Sequence, residues 1–153
     1  MVKLRDSIPD ITVTDQNDQS INLRNNIGHK MIIYFYPKDN TPGCTKESCS
    51  FRDEFTVLQD KGFMIYGVSK DSIDSHRKFR EKYKLPFPLL SDPKLELTKA
   101  FGAYGKKPRG GTGLIRSTFV IDKEGKILSI YGLSGFPKVK TATHAQDILN
   151  DLN

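Results

Sequence analysis

The chain has 153 residues, 37% hydrophobic and 27% charged, with a formal net charge of +6 and two cysteines. That size suits a single domain with an ordinary core, expected to fill residues 1–153. No apolar run approaches a membrane span, Met1–Asp6 lack the apolar centre of a signal peptide, and Lys and Arg are mixed with Asp and Glu rather than gathered into a nucleic-acid groove. A cytoplasmic protein is therefore expected, and any disulfide in it is expected to be transient and catalytic.

The elements follow in chain order. Ile11–Thr14 and Ser20–Leu23 alternate around the turn Asp15–Asp18 and predict an N-terminal hairpin. Met31–Tyr36 is apolar throughout, as in a central strand covered on both faces. A long amphipathic helix is predicted next, ending near Gly62, with Thr41 as N-cap and Pro42 as first helical residue. Phe63–Ser69 reads as a second buried strand, and Ser72–Lys84 as a helix capped by Ser72 or Asp71. Leu85–Leu90, with two prolines, is expected to be an extended edge segment. A short helix starts at Asp92-Pro93, and Tyr104–Gly113 reads as a surface loop, not a phosphate cradle. Arg116–Ile121 and Lys126–Tyr131 flank Asp122–Gly125 as a hairpin, and Thr141–Leu152 closes the chain as a helix.

This order predicts an α/β, thioredoxin-like fold: a central mixed sheet flanked by helices, with the N-terminal hairpin added. Ligands of such open sheets bind beyond the carboxyl end of a central strand, which is where Cys44 falls.

Cys44 sits in the first helical turn, where free N–H groups and the helix dipole favour an anionic sulfur. Cys44, Ser48, Phe51, Phe55 and Leu58 share one face and point to the core. Cys49 shares its face with Arg52, Thr56 and Gln59 and points outward. In an intact helix the two Cα atoms would be roughly 8–9 Å apart, whereas a disulfide needs less than about 7 Å. The thiols can meet only if the helix unwinds. Two cysteines without a neighbouring histidine do not make a zinc site. His29, His76 and His144 are expected to be solvated and outside the chemistry.

Pro37-x-x-x-Thr41-x-x-Cys44 resembles the active-site signature of peroxiredoxins. Phe35–Glu47 and Arg116–Asp122 resemble the bacterioferritin comigratory protein subfamily, or Q type, and the likeness runs over nearly the whole chain. The resemblance implies a thioredoxin-dependent, atypical two-cysteine peroxidase without metal or organic cofactor. Its substrates would be hydrogen peroxide and organic hydroperoxides, and its dithiol reductant thioredoxin. A monomer that binds neither nucleic acid nor membrane is expected. Cys44 would be the peroxidatic cysteine and Cys49 the resolving one. Thr41 would hydrogen-bond to the sulfur or the peroxide, Pro37 would shield the thiolate, Arg116 would aim its charge at both, and Glu47 would orient Arg116. Two departures stand out: Ser48 replaces a small apolar residue, and Lys106–Gly113 lacks the usual tyrosine-containing run. Two other classes compete. A disulfide reductase lacks its Cys-x-x-Cys pair here, and a redox sensor or holdase would react with peroxide once without turnover.

Overall fold

The computed structural model describes residues 3–152. Strands β1 (Thr12–Asp15) and β2 (Ser20–Asn22) form the hairpin, followed by a 3-10 turn at Leu23–Asn26. Next come β3 (Lys30–Phe35), α1 (Pro42–Asp53), α2 (Phe55–Asp60), β4 (Phe63–Ser69) and α3 (Ile73–Tyr83). The second half holds β5 (Leu89–Ser91), α4 (Glu96–Ala100), β6 (Tyr104–Lys106), β7 (Thr112–Leu114), β8 (Ser117–Ile121), β9 (Ile127–Tyr131) and α5 (His144–Asp151). Seven strands make one mixed sheet in the order β2-β1-β5-β4-β3-β8-β9. The thioredoxin-like α/β architecture expected from the sequence is present.

β3 organises the molecule because both its faces are covered. Met31, Ile33 and Phe35 pack with Leu97, Phe101 and Phe119 on one side. Ile32, Tyr34 and Tyr36 pack on the other with Phe51, Leu58, Phe79 and Ile148 from the helices. The continuous apolar run thus serves two cores through the two-residue strand period. β3 pairs parallel with β4 and antiparallel with β8, with Phe35 opposite Ser117. The carboxyl end of β3 and the amino end of β8 therefore lie side by side. That register brings the Pro37–Cys44 segment beside Arg116.

Three expectations are corrected. Leu85–Leu90 does not lead to an edge strand: β5 lies between β4 and β1, because the N-terminal hairpin adds to it. Both prolines precede the strand, so no ladder N–H is lost. Tyr104–Gly113 contains a two-stranded hairpin, β6 with β7. Glycines at 105, 110, 111 and 113 hide the alternation, while Gly110 and Gly111 turn the chain at positive φ. The long helix is broken at Glu54 into α1 and α2, although no proline or glycine stands there.

Candidate active site

Thr41 occupies the N-cap position of α1 and Pro42 follows it, but the threonine side chain caps no helix N–H. Its hydroxyl donates instead to the Lys38 carbonyl at 2.9 Å, which leaves the oxygen lone pairs free. One turn on, Cys44 is buried at 1% exposure. Cys49 is half-buried beside the partly buried Arg52, and both cysteines are free. The helical phase read from the sequence therefore describes where the two thiols point. Ser48 is fully buried, and its hydroxyl pairs with the Tyr34 hydroxyl at 2.8 Å. That contact gives the buried hydroxyl a partner at the position where the resemblance implies a small apolar residue.

Arg116 immediately precedes β8 and reaches across to α1. Its Nη2 donates to the Cys44 sulfur at 3.2 Å, and its Nη1 donates to Glu47 Oε1 at 2.6 Å. A charged N–H donor is worth more to a thiolate than to a thiol. Two glycines make this approach possible. A Cβ on Gly43 would lie 3.2 Å from Arg116 Nη2. A Cβ on Gly132, at φ +88°, would lie 2.2 Å from the Arg116 carbonyl oxygen. Burial alone would weaken Arg116 as a cation, but Glu47 and Cys44 outweigh it and hold the proton more firmly.

Glu47 is fully buried, and its Oε2 has no hydrogen-bond partner. Burial pushes its carboxyl up from 4.5 to about 7, although the Arg116 guanidinium pulls the other way. An acid whose pKa is raised by folding contributes stability below its unfolded pKa and loses it as pH rises through the folded one. The stability difference between Glu47→Gln and the unmutated protein should therefore grow in favour of the glutamine from pH 4.5 to above pH 7. The full excursion is about 3 kcal/mol. Denaturant midpoints across that range check it, and parallel pH curves would contradict it.

Pro37 and Arg116 line a cleft of about 660 Å³, together with Lys107, Arg109, Ile115 and Lys138. The β6–β7 turn, Lys107–Gly110, forms one wall of this cleft, and Arg116 joins it to Cys44, which does not itself line it. Thus Arg116 touches both Cys44 and Glu47, Pro37 lines the same cleft as Arg116, Thr41 stands at the N-cap position three residues before Cys44, and Cys49 follows Cys44 by five residues of α1.

Two histidines differ from the solvated positions expected of them. His76 is fully buried against Asp39, and His144 is 1% exposed with Nε2 at 2.8 Å from Thr118 Oγ1. Burial pushes His144 down to about 4, so it is neutral near pH 7. The signal for His76 was its spacing: His76, Phe79 and Tyr83 follow at three and four, on the apolar face of α3. His29 is exposed, as expected.

Residues 4–130 match the model of the AhpC/TSA family. The peroxiredoxin Bcp of Bacillus subtilis is 38% identical over 154 residues, covering 99% of this chain and 95% of the relative. The chain belongs to the AhpC/TSA family, as a peroxiredoxin of the Q type. Solved structures agree with this. The bacterioferritin comigratory protein of Xanthomonas campestris, described for its alkyl peroxide reduction, superposes with a TM-score of 0.87 at 35% identity. That match covers 99% of this chain and 96% of the other. A PrxQ variant from Xylella fastidiosa gives a TM-score of 0.90 at 30% identity, covering 99% and 96%. This peroxiredoxin therefore carries the thiol peroxidase function of its family. Among the described residues no helix is long and apolar enough to cross a membrane.

Proposed function

We propose that this peroxiredoxin reduces hydrogen peroxide and organic hydroperoxides through Cys44, resolves the product with Cys49 and is recycled by thioredoxin, as an antioxidant enzyme of the cytoplasm. The observation that carries the reading is the Arg116 guanidinium held between Glu47 and the Cys44 sulfur. In the first step the thiolate attacks the nearer peroxide oxygen in line with the O–O bond. That bond's electron pair leaves on the distal oxygen, which takes a proton and departs as water or alcohol. Sulfur is oxidised to sulfenic acid and the peroxide is reduced. Negative charge moves from sulfur to the leaving oxygen, so a fixed cation beside both stabilises the transition state. Thr41, its hydrogen engaged by Lys38, offers a lone pair to the peroxide O–H. Pro37 keeps bulk water off the thiolate. No step calls for a metal or an organic cofactor, and one copy of the chain supplies every group named.

In the second step the Cys49 thiol attacks the sulfenic sulfur, forms a disulfide and releases water. α1 must open for this. Opening breaks the Tyr34–Ser48 contact and the bond from the Ala145 N–H to Ser50 Oγ, which ties α1 to α5. A dithiol then reduces the disulfide by exchange. Burial raises the Cys49 thiol, an effect only partly offset by Arg52. Cys49 therefore remains protonated in the closed helix and gains reactivity on opening.

Cys49→Ser should keep one round of peroxide consumption, accumulate sulfenic acid and lose turnover with thioredoxin. Undiminished turnover would remove Cys49 from the cycle. The reading as a whole is tested by NADPH consumption with thioredoxin reductase and thioredoxin on adding hydrogen peroxide. Sustained consumption supports it. A burst limited to one equivalent favours a stoichiometric sensor.

A further inference from the structure

Asp39 and His76 lie outside the Cys44–Arg116–Glu47 group, and both are buried. Asp39 Oδ1 accepts from the Tyr36 hydroxyl at 2.6 Å. Oδ2 accepts from Ser75 Oγ at 2.9 Å and meets His76 Nδ1 at 2.7 Å. His76 Nε2 lies 2.9 Å from the Leu90 carbonyl oxygen, which can only accept, so Nε2 carries a hydrogen. A second hydrogen then lies between Nδ1 and Oδ2. The Asp39 N–H donates to Asp71 Oδ2 at 2.8 Å, which also accepts from Ser69 Oγ at 2.6 Å. Asp39, Asp71 and His76 have the composition of a cation site, but their polar atoms are turned on one another and on these hydroxyls.

The next residue supplies a second observation. Asn40 is a non-glycine at φ +61°. Asparagine adopts this left-handed turn conformation readily, so the residue suits the turn, and what holds it in place is its side chain. Its Oδ1 accepts from Lys82 Nζ and from the Tyr83 hydroxyl, both at 3.2 Å. Ser75, His76, Lys82 and Tyr83 all belong to α3, so one helix grips two successive residues of the turn. Pro37 and Thr41 stand on either side of those two. A buried Asp–His pair of this kind adds little stability over apolar residues of equal volume. What this pair fixes is position.

We propose that His76 and Asp39 are positioning residues for the peroxide reaction: a buried pair through which α3 holds the Pro37–Thr41 turn over the Cys44 sulfur. The proposal rests on Cys44 being the peroxide-reducing thiol. Peroxide must be aligned by that turn, whereas an alkylating agent needs only a reachable thiolate. The ratio of the two rates isolates alignment, because a change in ionisation moves both alike; since unfolding would expose the buried Cys44 to alkylation, the variants are compared only where far-UV circular dichroism shows them fully folded.

The test compares single-turnover hydrogen peroxide consumption with iodoacetamide alkylation of Cys44, followed on its own peptide by mass spectrometry in the full chain. Asp39→Ala and His76→Ala should lower the ratio at least tenfold. Asp39→Asn should lower it threefold at most. Its carboxamide still accepts from Tyr36 and donates to Nδ1 of a neutral His76. An unchanged ratio in the two alanine variants overturns the proposal. Should neither fold, Lys82→Ala/Tyr83→Phe touches only the outer grip on Asn40 and should lower the ratio at least twofold; no change there overturns it equally. If alkylating Cys44 fails to block peroxide consumption in the unmutated protein, the assignment of Cys44 itself falls, and the proposal with it.

Discussion

Cys44→Ser is expected to abolish peroxide reduction. The substitution is nearly isosteric in a fully packed position, so the fold should survive, with far-UV circular dichroism as the check. The serine hydroxyl would sit where the sulfur accepts from Arg116, yet it is not appreciably ionised near neutral pH. An alcohol also lacks the sulfur's capacity to hold the transferred oxygen as a sulfenic acid. Loss of a covalent nucleophile typically costs several powers of ten, and here about 10⁴-fold or more is expected. Residual peroxide consumption at even a few per cent of the original rate would place the chemistry elsewhere, with Cys49 the first candidate.

Arg116→Ala carries the second-largest expected effect, about 10²–10³-fold in the rate of sulfenic acid formation, the scale found when one transition-state donor is removed. The guanidinium does two jobs through two nitrogens: Nη2 faces the sulfur, and Nη1 is anchored on Glu47 Oε1. Lysine has a charge but no fork, so Arg116→Lys should fall between the two. The alanine variant also strands Glu47 as a buried carboxyl without its cation, which lowers stability at pH 8 more than at pH 5. Adding Glu47→Gln separates the effects: the stability loss shrinks while the rate loss remains. Stopped-flow single turnover measures the first step alone. A change below threefold would make Arg116 a structural residue only.

Much of this arrangement was legible in the residues because it depends on local rules. The apolar run before Pro37 could only be a central strand, and Pro42 fixed the start of α1 closely enough to place Cys44 inward and Cys49 outward. Phase along one helix is local information. The contact between Arg116 and Cys44 is not: it arises from the pairing of β3 with β8, and only the family resemblance pointed to it. The Asp39–His76 pair was missed for a related reason. Asp39 reads as an ordinary turn residue, and His76 becomes a core residue only once α3 packs against the loop after β3. The β6–β7 hairpin was missed because its glycines carry no side-chain pattern. β5 was misplaced because the N-terminal hairpin, 73 residues away at the Gln16–Leu89 contact, adds to the sheet beside it.

The central claim is that Cys44 and Cys49, held apart on the two sides of α1, form one catalytic couple. Non-reducing peptide mass spectrometry after one equivalent of hydrogen peroxide tests it most directly. The account predicts a Cys44–Cys49 bridge within a single chain. A stable sulfenic acid on Cys44, or bridges only between chains, would contradict it.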